Sequence, residues 1–380
     1  MKVLLLTDGI TPFVIGGMQK HSFMLAKYLA RAGVQIELHH CIYFNEKLPN
    51  AKSAFTPEEN KNIKAFAYRF PEKGLIPGHY VRNSYKYSVT IFNEVKNRLN
   101  EFDFIYTKGF TGWKLLEEKQ KGLKMPKVGV KFHGYEMFQP PADFKSKLQF
   151  KLLQKPTLKL NQWADVVFSY GGKITTIIES LGVKKANIIE IPSGIEESFI
   201  RNQAEIKASL PINLCFIGRY ERRKGIKELT TALQNLIKEK LDFKFHFIGS
   251  IPNDKKINDD RIVYHGQLFE VEKKKQILDR CDVLVCPSYS EGMPNVILEG
   301  MARGLAVIAT DVGANQLFFE KNVGLLITPG KTDALYEALF KLICVDNQTI
   351  NKLKQESNRL VSNKFKWQQI AEKVMVELKR

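Results

Sequence analysis

Residues 288–299 have the sequence SYSEGMPNVILE and lie between two short apolar runs, residues 281–287 and 306–310. Each run predicts a buried strand of a parallel sheet, so the stretch between them predicts a loop that leads into a helix. Pro294 suits the first position of that helix. The amides of residues 293–296 would then lie at the positive end of a helix dipole, where an anion such as phosphate binds.

Two acidic residues lie in this stretch, Glu291 in the loop and Glu299 inside the helix. Because Glu299 falls among apolar positions, its carboxylate must be paired or hydrogen-bonded there. One interpretation is a helix with one capping acid and one surface acid. The other is a site that combines phosphate-binding amides with two acceptors for hydroxyl groups, which is what a nucleotide-sugar requires.

Three other segments place candidate site residues between a predicted strand and the helix that follows it. Gly16 and Gly17 begin the first predicted helix, His133 follows a strand at 127–132, and Arg219 and Lys224 lie after a strand at 213–217. Turn geometry accounts for many glycine pairs, a lone histidine is often structural, and a basic turn can simply be solvated. Alternatively, an arginine fork and a lysine point charge at one strand end clamp a diphosphate.

The pattern Glu-Gly-x-Pro-x4-Glu, preceded by Pro-Ser, resembles the signature of retaining glycosyltransferases of family GT4. Gly-Arg followed by Lys-Gly, earlier in the chain, resembles a second motif of that family. The resemblance implies the GT-B fold, an α/β architecture in which two Rossmann-like, doubly wound domains face each other across a cleft.

Family roles can be carried onto the matching residues of this chain. The resemblance implies that Glu291 binds hexose hydroxyls, that Glu299 binds ribose hydroxyls, and that His133 orients the sugar and the acceptor. The remaining implied donor contacts are Gly16, Gly17, Arg219, Lys224, Gly292, Met293, Pro294, Asn295 and Val296. The family often has Glu two residues after the glycine pair, whereas this chain has Gln19, which argues against a carboxylate role there.

Alternating strand and helix patterns divide the chain into two α/β domains. The sequence IPSG at 191–194 resembles the family's crossing between domains, so we expect an acceptor-binding domain over 1–193 and a donor-binding domain over 194–363. A last helix at 364–380 is expected to cross back onto the first domain. Residues 45–80 are polar and irregular, and we place acceptor contacts there.

The charge distribution limits the kinds of partner that the chain is expected to bind. The 380 residues carry a net charge of +18, and residues 1–190 contain 29 Lys and Arg but only 16 Asp and Glu. A basic half suits nucleic acid, an anionic membrane or phosphorylated substrates. Because no nucleic-acid-binding motif is visible in the sequence, we expect no nucleic-acid partner.

Cysteine usage and hydropathy indicate a reducing compartment. The five cysteines form no CxxC pair and predict buried thiols rather than disulfides or a metal cage. The N-terminus predicts a first sheet strand rather than a signal peptide. No stretch approaches the ~20 apolar residues of a membrane span.

Residues 145–159 predict a helix in which lysines recur every four residues with apolar residues between them. Such a helix could lie on an anionic membrane surface, or bind a phosphorylated or lipid-diphosphate acceptor. Pro156 interrupts the pattern, and solvated lysines on an ordinary amphipathic helix are an equal alternative.

Together with the family resemblance, these features predict a cytoplasmic hexosyltransferase that uses a nucleotide-diphosphate sugar, with UDP-sugar favoured on family frequency. If residues 145–159 bind lipid, the protein would be peripheral on the inner face of the cell membrane. The acceptor would be a glycan or a lipid-linked acceptor in cell-surface polysaccharide or lipopolysaccharide biosynthesis. Neither a metal nor another cofactor is expected, because the cations and helix-end amides would stabilise the leaving phosphate. The alternatives are a non-catalytic nucleotide-sugar-binding or membrane-surface partner protein and a GT-B-fold epimerase.

Overall fold

The computed structural model describes residues 1–72, 74 and 78–380, which form two compact units. The first unit comprises residues 1–138, 148–193 and 367–380, and the second comprises residues 139–147 and 194–366. Residues 139–147, which lie within the predicted N-terminal domain, therefore group with the second unit.

Over the described residues, the first unit contains a seven-stranded sheet in which all the pairs are parallel. Its strands are β1 (Lys2–Leu6), β2 (Gln35–Ile42), β3 (Ile63–Arg69), β4 (Phe104–Lys108), β5 (Lys127–Lys131), β6 (Val166–Ser169) and β7 (Ile188–Glu190). The strand order β3-β2-β1-β4-β5-β6-β7 is doubly wound, with the direction of strand addition changing beside β1.

Helices connect these strands and cover the sheet. They are α1 (Gly17–Arg31), α2 (His79–Val95), α3 (Trp113–Gln120), α4 (Phe144–Trp163), α5 (Lys173–Ser180) and, at the C-terminus, α11 (Trp367–Leu378). The last of these packs against α1 and contributes Trp367, Ile370 and Val374 to the core that α1, β1 and β2 also form.

The second unit repeats the architecture with six parallel strands in its described residues, in the order β10-β9-β8-β11-β12-β13. Its strands are β8 (Ile212–Ile217), β9 (Phe243–Ile248), β10 (Ile262–Tyr264), β11 (Val283–Cys286), β12 (Ala306–Thr310) and β13 (Gly324–Ile327). Its helices are α6 (Ile226–Lys238), α7 (Val271–Asp279), α8 (Asn295–Ala302), α9 (Thr332–Ile343) and α10 (Asn347–Lys364).

Hydrophobic periodicity explains how these elements form. Helix α6 buries Ile226, Leu229, Leu233 and Leu236, which recur at the three- and four-residue spacing of one helical face. Strands β11 and β12 are buried on both faces and accordingly have continuous apolar sequences. The predicted α/β class with two doubly wound sheets is confirmed.

Three local predictions differ from the structure. Residues 63–69 form β3, an edge strand within the stretch predicted to be irregular, whereas Pro77 of that stretch lies outside the described residues. Helix α4 spans Phe144–Trp163, which is longer than the predicted 145–159, and it continues through Pro156. Helix α11 begins at Trp367 rather than at residue 364, because Lys364 still belongs to α10.

The described residues contain no helix long and apolar enough to cross a membrane.

Candidate active site

In the second unit, two loops leave the sheet on either side of the point where strand order reverses. Strand β8 lies between β9 and β11, and the loops 218–225 and 287–294 follow β8 and β11. Ligands of open α/β sheets bind outside the carboxyl ends of the strands at such a switch point. Both sequence motifs of the second half of the chain therefore fall at one place in the fold.

The two loops pack directly on each other. A Cβ atom at Gly225, where φ is +69°, would lie 2.0 Å from the carbonyl oxygen of Pro287, so only glycine fits. The amide of Tyr289 donates a hydrogen bond to the carbonyl of Arg223 at 2.7 Å. A Cβ atom at Gly313, where φ is +57°, would lie 2.5 Å from the carbonyl oxygen of Gly292, so the backbone at residue 313 also packs closely against the loop 287–294.

Glu291 is buried between these loops and is held through both its side chain and its backbone. Its Oε1 accepts hydrogen bonds from Lys224 Nζ at 2.5 Å and from Ser288 Oγ at 2.7 Å. The amide group of Gln139 donates to the Glu291 carbonyl at 2.7 Å. A residue held by several hydrogen bonds in this way is typical of a side chain that must bind a ligand in a single orientation.

The electrostatic surroundings keep Glu291 ionised. Burial by itself opposes ionisation, but the charges of Lys224 and Arg223, with hydrogen bonds from Lys224 and Ser288, lower the pKa of Glu291 below its ordinary value. Its carboxylate is thus a charged acceptor in a site largely closed to water.

The basic residues of the loop 218–225 differ in their contacts. Lys224, predicted to contact phosphate, is the ion-pair partner of Glu291, whereas Arg219 has a side chain 76% exposed and pairs with Glu221 at 2.9 Å. Arg222 forms a two-pronged contact with Glu228, with both N–O distances 2.8 Å, and so has a structural role.

Arg223 is not among the residues that the sequence assigned to the donor, but the structure brings it to the site. Its Nη1 lies 3.9 Å from Glu291 Oε1, and its Nε lies 3.3 Å from a carboxylate oxygen of Glu221. Its position beside Lys224 was the available signal, but sequence alone does not show which of three consecutive cations faces the neighbouring loop.

Glu299 is buried in α8, and Lys274 Nζ of α7 donates to its Oε2 at 2.9 Å. The expectation that this carboxylate must be paired is confirmed. Lys274 could not be identified from the sequence, because α7 contains three consecutive lysines, and Lys273 and Lys275 bond Glu270 and the carbonyl of Ser198.

Helix α8 begins one residue later than the motif predicted. Pro294 is the N-cap, with an extended ψ of 120°, and Asn295 is the first helical residue. Gly292 and Met293 precede the cap, and Val296 lies in the first turn, so the predicted anion-binding residues lie at the start of the helix.

The other predicted site residues lie in the first unit, near the carboxyl ends of β1 and β5. Gly16 is the N-cap of α1, and a Cβ atom there would lie 2.2 Å from Gln19 Oε1. Gly17 begins the helix. His133 follows β5, and its Nδ1 lies 2.8 Å from the hydroxyl of Tyr170, which fixes the orientation of the imidazole.

Buried basic groups that the sequence did not indicate surround this region of the first unit. Lys108 Nζ donates to Ser22 Oγ at 2.9 Å and lies 2.9 Å from His21 Nδ1. Burial, and then the charge of Lys108, hold the pKa of His21 well below its ordinary value, so His21 is neutral. No periodicity distinguishes such a lysine from a solvated one.

Comparisons with known proteins agree with this geometry. The profile of the family described as "Glycosyl transferases group 1" matches residues 211–344. The teichuronic acid biosynthesis glycosyltransferase TuaC of Bacillus subtilis is 32% identical over 185 residues, which is 46% of each chain. The Methanocaldococcus jannaschii glycosyltransferase MJ1178 is 26% identical over 364 residues, which is 93% of this chain and 92% of that one.

Solved structures resemble the whole chain. Sucrose-phosphate synthase from Thermosynechococcus elongatus superposes with a TM-score of 0.80 at 19% identity, covering 100% of this chain and 98% of that chain. Anabaena HepE in complex with UDP and glucose gives a TM-score of 0.67 at 18% identity, covering 100% and 99%. These similarities establish the GT-B fold. With the family match over residues 211–344, the comparisons show a glycosyltransferase whose second unit is similar to the group 1 family.

Proposed function

We propose that the chain is a retaining hexosyltransferase that transfers a hexose from a nucleotide-diphosphate sugar, with UDP-sugar favoured. The observation that carries the proposal is the pair of buried carboxylates, Glu291 and Glu299, each held by a lysine around the start of α8. UDP as donor nucleotide is supported by HepE, which has been solved with UDP and with UDP-glucose.

The charges of the site suit the chemistry of this transfer. Cleavage of the anomeric C–O bond places positive charge on the sugar ring and negative charge on the departing diphosphate. Arg219, Lys224 and the N-terminal end of α8 would stabilise that diphosphate electrostatically, so we propose transfer without a bound metal or other cofactor. Arg223 is an additional cation for the same role.

The carboxylates and the histidine would hold the neutral parts of the substrates. Glu291, charged and buried, would accept hydrogen bonds from hexose hydroxyls, and Glu299 would accept them from the ribose. His133, oriented by Tyr170, would position the sugar and the acceptor hydroxyl. A glycan or lipid-linked acceptor of a cell-surface polysaccharide is supported by TuaC and by CapM of Staphylococcus aureus, named for capsular polysaccharide biosynthesis.

A donor panel tests this function. Wild-type protein with UDP-, GDP- and ADP-sugars in the presence of EDTA is expected to release nucleotide diphosphate slowly from one donor. Glu299→Gln is expected to weaken binding of that donor about 10-fold or more, because a hydrogen bond to a charged group contributes about 1.5–3 kcal/mol. Arg219→Ala is expected to slow the release of nucleotide diphosphate, because Arg219 would stabilise the departing diphosphate.

The matched control is Glu270→Gln, which alters an exposed ion pair with Lys273 in the same unit. It should leave donor binding unchanged. Absence of binding and release with every donor would overturn the transferase proposal, whereas release that EDTA abolishes would overturn only metal independence.

The proposed location at the inner face of the membrane rests on α4. Phe144, Leu148 and Leu152 recur every four residues and are exposed, so they lie on one side of the helix. Exposed lysines accompany this apolar stripe, namely Lys145, Lys147, Lys151 and Lys155. An exposed apolar stripe with flanking lysines suits the interface of an anionic bilayer.

Vesicle sedimentation tests this association. Wild-type protein is expected to bind vesicles of phosphatidylglycerol and phosphatidylcholine, and Lys147→Gln/Lys151→Gln should weaken binding about 30-fold, at about 1 kcal/mol per lysine. Lys238→Gln/Lys352→Gln changes two exposed lysines elsewhere and should have a much smaller effect. Equal effects of the two double variants would show non-specific charge attraction and would contradict a role for α4.

A further inference from the structure

Lys274 of α7 holds one of the two carboxylates of the candidate site. Its Nζ donates a hydrogen bond to Oε2 of Glu299 at 2.9 Å, and Glu299 lies one turn after Asn295, the first residue of α8. Consecutive residues of a helix do not face each other, so the three adjacent lysines of α7 point in different directions. Lys274 is the one that contacts the acid of α8, whereas its neighbours bond an exposed carboxylate and a main-chain carbonyl.

The ion pair is enclosed within the second unit. The side chain of Glu299 is 5% exposed and that of Lys274 is 20% exposed. The Lys274 ammonium also lies 5.6 Å from the centroid of the buried Phe199 ring, and an aromatic face attracts a cation at that distance. The stem of a lysine is flexible on its own. Here the ring and the carboxylate together confine the ammonium to one place.

The ammonium affects both the charge and the direction of the Glu299 carboxylate. A buried carboxylate is costly without a counter-charge, so removal of Lys274 would favour its protonation or its rotation toward water. Either change would take a charged acceptor away from a fixed position. With Lys274 in place, the hydrogen bond to Oε2 restrains the rotation of the whole carboxylate.

A purely structural role of this pair would be to join α7 to α8. Another contact already joins the two helices. Arg303, which follows α8, forms a two-pronged ion pair with Asp279, the last residue of α7, and both N–O distances are 2.7 Å. Because the helices are tied at these ends, the pair of Lys274 and Glu299 is not required to hold them together. Its place at the candidate site favours a role toward a ligand.

We propose that Lys274 is a positioning residue for the donor nucleotide, which holds Glu299 in the orientation that accepts hydrogen bonds from the ribose. This inference rests on the proposed function, which assigns Glu299 to the ribose hydroxyls. The ribose takes no part in the bond that breaks, so its contacts stabilise the ground state and the transition state equally. Removal of Lys274 is therefore expected to raise KM for the donor about 10-fold and to change kcat by less than about twofold.

Isothermal titration calorimetry with UDP and with 2′,3′-dideoxy-UDP tests the ribose contact. Wild-type protein is expected to bind UDP about 10-fold or more tightly than the dideoxy analogue, because hydrogen bonds to a charged acceptor are strong. In Lys274→Met that ratio is expected to fall to about threefold or less, since the carboxylate is no longer held toward the hydroxyls. Lys274→Arg keeps a cation at the position and is expected to retain most of the wild-type ratio.

Two further variants control this measurement. Lys273→Met alters the neighbouring lysine of α7, which forms an exposed pair with Glu270, and should leave both affinities unchanged. Lys274→Met/Glu299→Gln lacks both charges and should bind UDP within about twofold of Glu299→Gln alone, because a residue that acts through Glu299 then has nothing to position. This comparison tests the inference even if Lys274→Met by itself does not fold.

Four results would overturn the inference. Equal weakening of UDP and of the dideoxy analogue in Lys274→Met would show a purely structural role. A further loss of about 10-fold from Glu299→Gln to the double variant would place Lys274 in direct contact with the ligand. Equal wild-type affinities for UDP and the analogue would show that Glu299 does not bind the ribose, even where a donor releases nucleotide diphosphate. Absence of UDP binding would overturn the inference together with the choice of UDP.

Failure of the proposed function gives a different result. If no donor releases nucleotide diphosphate while the ribose-dependent loss in Lys274→Met persists, only the proposed transfer fails. The role of Lys274 in positioning Glu299 for a nucleotide would then stand.

Discussion

Glu291→Gln is expected to slow sugar transfer about 100-fold, because hydrogen bonds to a charged acceptor contribute about 1.5–3 kcal/mol and each 1.4 kcal/mol is tenfold. Glutamine keeps the size of the side chain and can still accept from Ser288 and Lys224. It removes the charge that would bind sugar hydroxyls and that holds Lys224 in place. The rate of transfer or donor hydrolysis is measured with the donor that the panel identifies.

Two comparisons make this result interpretable. Glu270→Gln, the exposed control in the same unit, should keep the wild-type rate. Because the pKa of Glu291 is held below its ordinary value, the wild-type rate should not depend on the protonation of Glu291 between pH 6 and 8. A rate for Glu291→Gln within twofold of wild type would remove this residue from the site.

The strands and helices around the site could be predicted because their signals are local. Residues 306–310 form a strand with the bounds that the sequence predicted, and the helix at 226–238 buries apolar residues at three- to four-residue spacing. Continuous apolar runs and a three- to four-residue apolar spacing depend only on neighbouring residues. The same local signals located Glu291 and Glu299 on a loop and a helix.

The partners of these acids could not be predicted, because they come from distant parts of the chain. Lys224 is 67 residues before Glu291, and the loop 218–225 contains several other cations. Gln139 lies 152 residues before Glu291 in the sequence. Family resemblance assigned Lys224 to phosphate, whereas in the structure its ammonium donates to Glu291.

Strand β3 shows a different limit of prediction from sequence. Residues 63–69 place a lysine and two alanines, which are depleted in strands, among strand formers such as isoleucine and phenylalanine, so their local preference for a strand is weak. The strand forms because it completes the edge of a sheet by pairing with β2 over seven positions. Pairing with a strand more than 20 residues away is a tertiary effect that overrides weak local preference.

The largest expected effect on stability comes from an ion pair outside the site. Asp282, at the start of β11, and Lys354 of α10 are each 1% exposed, and their charged groups are 2.5 Å apart. Asp282 also accepts from the amides of Ser209 and Asn213. Lys354→Met is expected to lower the free energy of unfolding by about 3–5 kcal/mol, because it leaves a buried carboxylate without its counter-charge.

Denaturant unfolding followed by far-UV circular dichroism measures this effect in the second unit. Tryptophan fluorescence would not, since Trp113, Trp163 and Trp367 all lie in the first unit. Lys273→Met, which alters an exposed pair, should change the free energy of unfolding by less than about 1 kcal/mol.

A double variant separates the contribution of the ion pair to stability from the contributions of its two side chains. Asp282→Asn alone leaves the Lys354 ammonium buried against the carbonyls of Lys207 and Cys281, so it should also be strongly destabilising. In Lys354→Met/Asp282→Asn neither charge is present, and the loss should be smaller than the sum of the two single losses by about 2 kcal/mol or more. Additive losses would show that the two side chains stabilise the unit through separate contacts. The ion pair would then not be what fixes α10 against the start of β11.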